Sequence, residues 1–168
     1  MSNIKVVVGY PPIQSNKGVP LLSQNRQFQY FNAPTYIYPM VPAYAATLLQ
    51  ESGYKTYWMD GISQKQTFKE WINELKQINP RYLLIETKSP IIQKHWKIIN
   101  KIKRILPKLK VILVGDHVSY KPYESFKHSK VDYVITGGDY DFVVVNLLNH
   151  LHKKEALEGG VYYKKGGR

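Results

Sequence analysis

The sequence contains no cysteine. The chain therefore forms no disulfide of its own and offers no thiol nucleophile and no thiolate ligand for zinc or an iron–sulfur cluster. Long apolar runs are also missing, since no stretch approaches the about 20 residues that a membrane-spanning helix needs. The amino terminus lacks the basic start and the long apolar stretch of a signal peptide. These absences predict a cytoplasmic protein.

The common phosphate-binding loops are absent as well. After the first predicted strand the chain reads Gly9-Tyr10-Pro11-Pro12-Ile13-Gln14, where a dinucleotide site would need G-x-G-x-x-G. The pattern G-x-x-x-x-G-K-[ST] occurs nowhere, and the Ser, Thr and Gly residues of a flavodoxin-type phosphate loop are missing after that strand. Nicotinamide and P-loop functions therefore lose most of their support.

Acidic residues are the minority of the charged side chains. The chain has 24 Lys and Arg against 12 Asp and Glu, a formal net charge of +12 at pH 7. Such a charge attracts phosphates, nucleic acid or an acidic protein face, but it does not bear on the fold. The length of 168 residues, with 43% hydrophobic residues, is typical of one globular domain with a substantial core.

Apolar patterning alternates between the periods of strands and helices along the chain. Strands are predicted at residues 4–9, 54–60, 82–87, 110–115 and 131–138, and helices at 41–52, 68–78, 91–106 and around 144–151. This alternation favours parallel strands joined by right-handed crossovers. We therefore predict an α/β fold: an open Rossmann-like (flavodoxin-like) five-stranded parallel sheet with helices on both faces.

Two segments fall outside this alternation. Residues 13–39 are rich in Gln, Asn, Pro and aromatics, which predicts an ordered loop over the strand ends. Residues 159–168 contain a short strand-like piece between glycines, which predicts half of a hairpin without a partner strand.

Ligands of open parallel sheets bind outside the carboxyl ends of the strands. The loops to consider are therefore residues 10–12, 87–90, 115–119 and 137–141. Gly115 and Gly138 would let a flat ligand lie close to the backbone, although glycine after a parallel strand is also ordinary turn chemistry.

Several polar residues in these loops have more than one interpretation. His117 could be a base, a metal ligand or a hydrogen-bond donor, or simply a solvated side chain. Asp139 and Asp141 could bind a metal or ribose hydroxyls, but capping of the last helix explains at least one of them. The other histidines show no metal-ligand spacing and are assigned to surfaces or helix packing; they are His95, His128, His150 and His152. No metal site is therefore predicted.

The predicted helix 91–106 carries a basic stripe. Its members recur at three- and four-residue steps, and no acidic residue occurs between Glu86 and Asp116: Lys94, Lys97, Lys101, Arg104 and Lys108. A solvated helix face explains this pattern, but so does a surface that binds RNA or an acidic protein. The latter is our alternative function. A stand-alone small-molecule enzyme using His117 and Asp139 is disfavoured, because the chain shows no convincing nucleophile or paired catalytic carboxylates.

The loops carry a resemblance to a known family. The segments lie in a fixed order along nearly the whole chain: Pro11-Pro12, residues 18–29, residues 39–46, residues 86–90, Gly115-Asp116-His117, residues 132–134 and residues 138–141. In this order they resemble the N-terminal cobalamin-binding domain of cobalamin-dependent radical S-adenosylmethionine (radical SAM) enzymes. The family usually has Gly-Gly-x-His after strand four and Gly-Glu at the strand-five turn. Here Asp116 and the pair Gly138-Asp139 stand at those places.

The resemblance implies a corrin ring on the carboxyl edge of the sheet, with its nucleotide tail directed toward the core. The residues around Gly18 to Pro39 would cover the ring. The cofactor-binding residues that it implies are Pro11, Pro12, Gln24, Asn25, Arg26, Thr87, Lys88, Ser89, Gly115, Asp116, His117, Ser119, Gly138, Asp139 and Tyr140. Because the D-x-H-x-x-G pattern of other cobalamin proteins is absent, no histidine of this chain is expected to ligate cobalt by that arrangement.

The resemblance also implies a larger enzyme. Residues 1–156 would form the cobalamin-binding domain, and residues 157–168 would be a linker to a downstream radical SAM domain. That domain would hold S-adenosylmethionine and an iron–sulfur cluster on C-x-x-x-C-x-x-C, which this chain lacks. The expected parent activity is methyl transfer, and the expected activity of this chain alone is cofactor binding. Its expected partners are cobalamin and the downstream domain, with no membrane.

Overall fold

The computed structural model describes residues 3–13, 15–20, 30–33 and 38–164. Three of the predicted cofactor-binding residues, Gln24, Asn25 and Arg26, lie outside the described residues, as does much of the predicted covering loop. Within the loop, residues 19–20 and 30–31 pair as two short antiparallel strands.

The described chain contains eight strands and six α-helices. The strands are β1 Lys5–Tyr10, β2 Val19–Pro20, β3 Tyr30–Phe31, β4 Lys55–Asp60, β5 Tyr82–Glu86, β6 Lys110–Val114, β7 Tyr133–Ile135 and β8 Val161–Tyr163. The helices are α1 Met40–Glu51, α2 Phe68–Ile78, α3 Ile92–Ile105, α4 Asp116–Tyr120, α5 Glu124–His128 and α6 Tyr140–Lys153, and a 3₁₀ turn, Ser89–Ile91, leads into α3.

The main sheet has the strand order β4-β1-β5-β6-β7-β8. The first five of these strands are parallel, and each matches a strand predicted from the sequence. The chain first moves outward from β1 to β4 and then returns to β5 on the other side of β1. The direction of winding therefore switches between β1 and β5, which is where open α/β sheets bind ligands.

The predicted number of strands was one too low. Residues 161–163, expected to remain unpaired in a linker, form β8, which pairs antiparallel with β7 from Ile135↔Val161 to Tyr133↔Tyr163. Without β8, the outer edge of β7 would expose unpaired backbone groups, and the returning chain satisfies them. The α/β class with helices on both faces is confirmed.

Both faces of the sheet are covered because successive strand residues point to opposite sides. Val7, Leu83 and Leu113 are buried with residues of α2, α3, α4 and α5. Val8, Leu84 and Ile112 are buried on the other face with residues of α1 and α6. None of the helices in the described part of the chain is long and apolar enough to cross a membrane.

Candidate functional site

The switch point brings the ends of two strands together. Tyr10 is the last residue of β1 and Glu86 the last of β5, and both are buried. The Tyr10 hydroxyl donates a hydrogen bond to Glu86 Oε2 over 2.5 Å. Burial raises the pKa of the Glu86 carboxyl, and the Tyr10 hydroxyl and the charge of Lys88 oppose that rise. Burial also raises the pKa of Tyr10, and the neighbouring Glu86 adds to it.

Tyr140, the first residue of α6, completes this buried polar cluster. Its side chain is buried, and its hydroxyl makes no hydrogen bond to any described residue. Burial raises the pKa of Tyr140, and the nearby Glu86 carboxyl raises it further. The two groups nevertheless do not meet hydrogen-bond geometry. The switch point therefore holds a buried polar atom that the described residues leave unsatisfied.

A small pocket lies beside this cluster. Gly9 and Tyr10 of β1, Pro42 of α1, Glu86 and Tyr140 all line it. It has no room for even a water-sized group, whereas usual ligand sites measure about 300 to 1,000 Å³. A ligand group can therefore enter only if the side chain of Tyr10 or Tyr140 moves.

The loops after β5 and β6 are joined by close contacts. Lys88 Nζ lies 3.1 Å from Asp116 Oδ2, with the lysine side chain buried and the aspartate exposed. The Thr87 amide donates to the Val114 carbonyl over 2.8 Å. Gly115 has φ +111°, and a Cβ built there would lie 2.2 Å from the Thr87 carbonyl oxygen. Gly115 thus permits close approach of the chain to itself.

Thr87 points into the protein rather than toward the edge. Its Oγ1 lies 2.8 Å from His95 Nδ1, and His95 is fully buried in α3. Burial lowers the pKa of His95 from 6.5 to about 3, so the ring is neutral. The predicted assignment of His95 to helix packing agrees with this position.

His117 lies in α4 and is largely buried rather than solvated in a loop. Its Nδ1 is 3.1 Å from Ser89 Oγ, and its Nε2 is 2.9 Å from Glu124 Oε2. Both ring nitrogens are therefore engaged by side chains of the same protein. The predicted residues Ser89 and His117 are brought together, and Glu124 is a further partner that no sequence pattern indicates.

The loops after β6 and β7 also meet. Ser119 Oγ donates to the Gly115 carbonyl and accepts from the Gly137 amide, each over 3.0 Å. Asp139 precedes α6, but its side chain makes no capping hydrogen bond, and its backbone ψ of 42° is not extended. The expected cap is therefore not formed by Asp139. Gly138 is exposed, with nothing within 4 Å of a built Cβ.

Pro11 is buried and Pro12 is partly buried, immediately after β1. Pro12 packs on Gly61 and reaches a groove along α3 that Phe68 and Ile98 also line. Both prolines therefore lie at the predicted edge.

Exposed apolar side chains surround the same edge. Tyr38 precedes α1, Met40 and Tyr44 lie in the first half of α1, Tyr120 lies in α4, and Phe142 lies in the first turn of α6. Each of these helices begins at the carboxyl edge of the sheet. Tyr38 belongs to the predicted covering loop, and Met40 and Tyr44 to the segment 39–46 that carries the family resemblance, whereas no sequence pattern indicated that Tyr120 and Phe142 would be exposed here. Each of the five is at least 49% exposed, so this edge presents apolar side chains to solvent.

The basic stripe is exposed along α3. Lys97, Lys101, Arg104 and Lys108 are all exposed, whereas Lys94 is partly buried. Lys101 Nζ lies 4.0 Å above the Phe68 ring. A groove with an apolar floor runs beside these lysines.

No protein-family model and no curated protein sequence matches this chain. Solved structures of the radical S-adenosylmethionine methyltransferase TsrM from Kitasatospora setae are similar to it. The structure with tryptophan substrate and the S-adenosylmethionine analogue aza-SAM bound has a TM-score of 0.70 at 17% identity, over 98% of this chain and 29% of that chain. The structure with cobalamin and a 4Fe-4S cluster bound has a TM-score of 0.69 at 18% identity, over 99% and 28%.

The chain therefore spans less than a third of the length of TsrM. At this level of identity the similarity shows a related fold. It extends over nearly all of this chain, including the sheet edge described above.

Proposed function

We propose that this chain binds cobalamin at the carboxyl edge of its sheet, as the cofactor-binding part of a radical SAM methyltransferase. In this proposal residues 1–156 form most of the cobalamin-binding domain, and residues 157–168, whose strand β8 completes the same sheet, lead to a downstream radical domain. The resemblance of the loop residues and the similarity to TsrM, one structure of which has cobalamin bound, both support it.

The unsatisfied hydroxyl of Tyr140 is the observation on which the proposal chiefly rests. A buried polar group without a partner costs about 1–3 kcal/mol, which a polar group of a ligand can recover. Tyr140 and Glu86 lie at the switch point beneath the proposed corrin position, where the nucleotide tail would be directed. The buried groups present therefore fit the polar end of such a tail, provided that Tyr10 or Tyr140 moves to enlarge the pocket.

The surface above the pocket also fits the cofactor. A corrin is a flat apolar macrocycle fringed with amides, and it needs apolar cover and close approach to backbone. Tyr44, Phe142 and Tyr120 supply exposed aromatic surface, and Gly138 leaves open space. These residues would orient the ring and exclude water from its buried face.

The bound cofactor would supply a transferable methyl group to the parent enzyme. His117 would not contribute a nitrogen to cobalt, because Ser89 and Glu124 already engage its ring. The iron–sulfur cluster and S-adenosylmethionine would be held outside this chain, which has no cysteine.

The first experiment mixes the purified chain with hydroxocobalamin and measures the absorbance retained after desalting. We expect stoichiometric retention, with a spectrum whose cobalt-ligand features do not change in His117→Ala. Gly138→Trp places bulk at the open edge and should abolish retention, whereas Gln77→Trp, exposed on α2 at the opposite edge, should not. Absence of retention by the folded wild-type chain at micromolar concentration would contradict the proposal.

A second candidate function rests on a separate observation, the exposed basic face of α3. Lys97, Lys101 and Arg104 are exposed along it, and the first two also line an apolar groove, which would suit RNA or an acidic protein surface. A shift of labelled RNA that weakens with salt, and that is lost in Lys97→Glu/Lys101→Glu, would favour this function.

A further inference from the structure

Three side chains form a continuous hydrogen-bonded chain at the carboxyl edge. Ser89 Oγ lies 3.1 Å from His117 Nδ1, and His117 Nε2 lies 2.9 Å from Glu124 Oε2. The three residues come from different elements, the 3₁₀ turn after β5, α4 and α5. Ser89 is exposed, while the His117 side chain is only 11% exposed. These hydrogen bonds therefore link the buried His117 ring to the Ser89 hydroxyl at the surface.

The His117 ring is held in place by its neighbours. The Trp96 ring of α3 lies edge-on to it, with centroids 5.9 Å apart. Trp96 is itself fixed, because its Nε1 donates to Ser125 Oγ over 2.9 Å and its ring stacks on His128. Rotation of His117 away from Ser89 and Glu124 would therefore disturb packing on two helices.

The chemistry of Glu124 sets the direction of each proton. When Glu124 is ionised and the His117 ring is neutral, Nε2 carries the ring hydrogen, because a carboxylate only accepts hydrogen bonds. Nδ1 is then a lone pair and accepts the hydroxyl hydrogen of Ser89. With its hydrogen directed inward, the Ser89 oxygen presents only lone pairs to the surface of the sheet edge.

We propose that Ser89 is a hydrogen-bond acceptor for an amide N–H group of the bound corrinoid, and that Glu124 acts through His117 as its positioning residue. This inference rests on the proposed function and specifies the chemistry that the site selects. A corrin side-chain amide has N–H groups to donate, whereas a carboxylate or phosphate at the same position has none. The hydrogen bonds among Ser89, His117 and Glu124 therefore favour corrinoids with intact side-chain amides over those with carboxylates.

The first test measures the His117 tautomer in the whole, ligand-free chain by ¹⁵N NMR at mildly alkaline pH. We expect hydrogen on Nε2 in the wild type. A mixed tautomer is expected in Glu124→Gln, because a glutamine amide can donate as well as accept. This readout would not respond to a merely space-filling role of Glu124. Hydrogen on Nδ1 in the wild type would overturn the inference.

The second test compares binding of cobalamin with binding of a cobalamin derivative whose side-chain amides are hydrolysed to carboxylates. The preference for the amide form should fall by about three- to tenfold in Ser89→Ala, the range expected for one neutral hydrogen bond. Glu124→Gln should reduce the preference in the same direction. Ser52→Ala, at the carboxyl end of α1 and the opposite edge of the sheet, should leave it unchanged.

The two proposals fail in different ways. If the wild-type chain binds both corrinoids but Ser89→Ala leaves their ratio unchanged, the inference is overturned and cobalamin binding stands. If neither corrinoid binds, the proposed function is overturned together with the ligand assigned to Ser89.

Discussion

The hydroxyl of Tyr10 lies 2.5 Å from the Glu86 carboxylate. This bond joins the last residues of two neighbouring parallel strands inside the protein, where the winding of the sheet changes direction. Both groups are buried, and the hydroxyl of Tyr140 lies beside them without a partner among the described residues. The candidate site therefore has a polar floor beneath an apolar rim.

The raised pKa of Glu86 predicts a specific pH dependence of stability. An acid whose pKa is raised on folding stabilises the fold below its unfolded pKa, and this contribution is lost as the pH rises through the folded pKa. Glu86→Gln still accepts the hydrogen bond from Tyr10 but has no carboxyl group to ionise, so its stability does not fall in this way. Its free energy of unfolding should exceed that of the wild type by an amount that grows as the pH rises from about 4.5 toward neutrality.

Urea denaturation across that pH range measures the difference. Glu51→Gln, at an exposed position on α1, is the matched control and should show no such growth. A constant difference between wild type and Glu86→Gln would show that burial of the Glu86 charge is not destabilising.

The unpartnered hydroxyl of Tyr140 predicts opposite effects on stability and binding. Tyr140→Phe removes a buried polar atom that has no described partner, so the ligand-free chain should gain about 1 kcal/mol in the free energy of unfolding. If the hydroxyl serves the cofactor, the same variant should bind cobalamin more weakly in an absorbance titration. Tyr10→Phe is the contrasting variant, because it leaves the buried Glu86 without its donor and should destabilise the chain.

Gly115 predicts a steric effect that can be separated from backbone strain. Gly115→Ala would place a methyl group 2.2 Å from the Thr87 carbonyl at φ +111°. Gly137 has φ +98° but nothing within 4 Å of a built Cβ. Gly137→Ala should cost about 1–3 kcal/mol from strain alone, and Gly115→Ala should cost more. Equal losses in thermal denaturation would show that the loops after β5 and β6 can separate freely.

The buried His95 predicts a loss of stability in acid. Its pKa is about 3 in the folded chain, because burial disfavours the charged ring, against 6.5 in the unfolded chain. A lowered histidine pKa contributes stability above pH 6.5, and this contribution falls by up to about 1.4 kcal/mol per pH unit as the pH falls toward about 3. His95→Gln should remove this part of the acid sensitivity. His150→Gln, whose ring bonds the Glu155 carbonyl outside the core, should retain it.

Much of the fold could be predicted because its determinants are local. The helix predicted at residues 68–78 has those bounds in the structure, since Thr67 and Glu70 form a capping box and Asn79 ends the helix with φ 49°. The parallel strands were equally clear from apolar runs such as residues 82–87. The pairing of the edge strand β8 was missed because three residues carry no sign of their partner, which lies about 28 residues earlier in the chain.

The candidate site was only partly predictable. The loops containing Ser89, Gly115 and His117 could be placed at one edge, because parallel strands end together. The roles of Glu86 and Tyr10 could not, since each depends on a partner far away in sequence. The role of Glu124 depends on how α5 is placed against α4, although His117 is only 7 residues away. Tyr10 and Glu86 are 76 residues apart in the chain, and no local pattern signals their hydrogen bond.

The sequence by itself determined the α/β alternation, the loops at the carboxyl edge of the sheet and the absence of cysteine chemistry, because periodicity and residue type are properties of the chain. Tertiary structure alone decided which of those loop residues point inward and which remain open. Thr87 turned toward His95, Gly115 was used for close packing and Gly138 was left exposed. The physical reason is that burial and hydrogen bonding are shared between elements, so they exist only once the strands have been brought side by side.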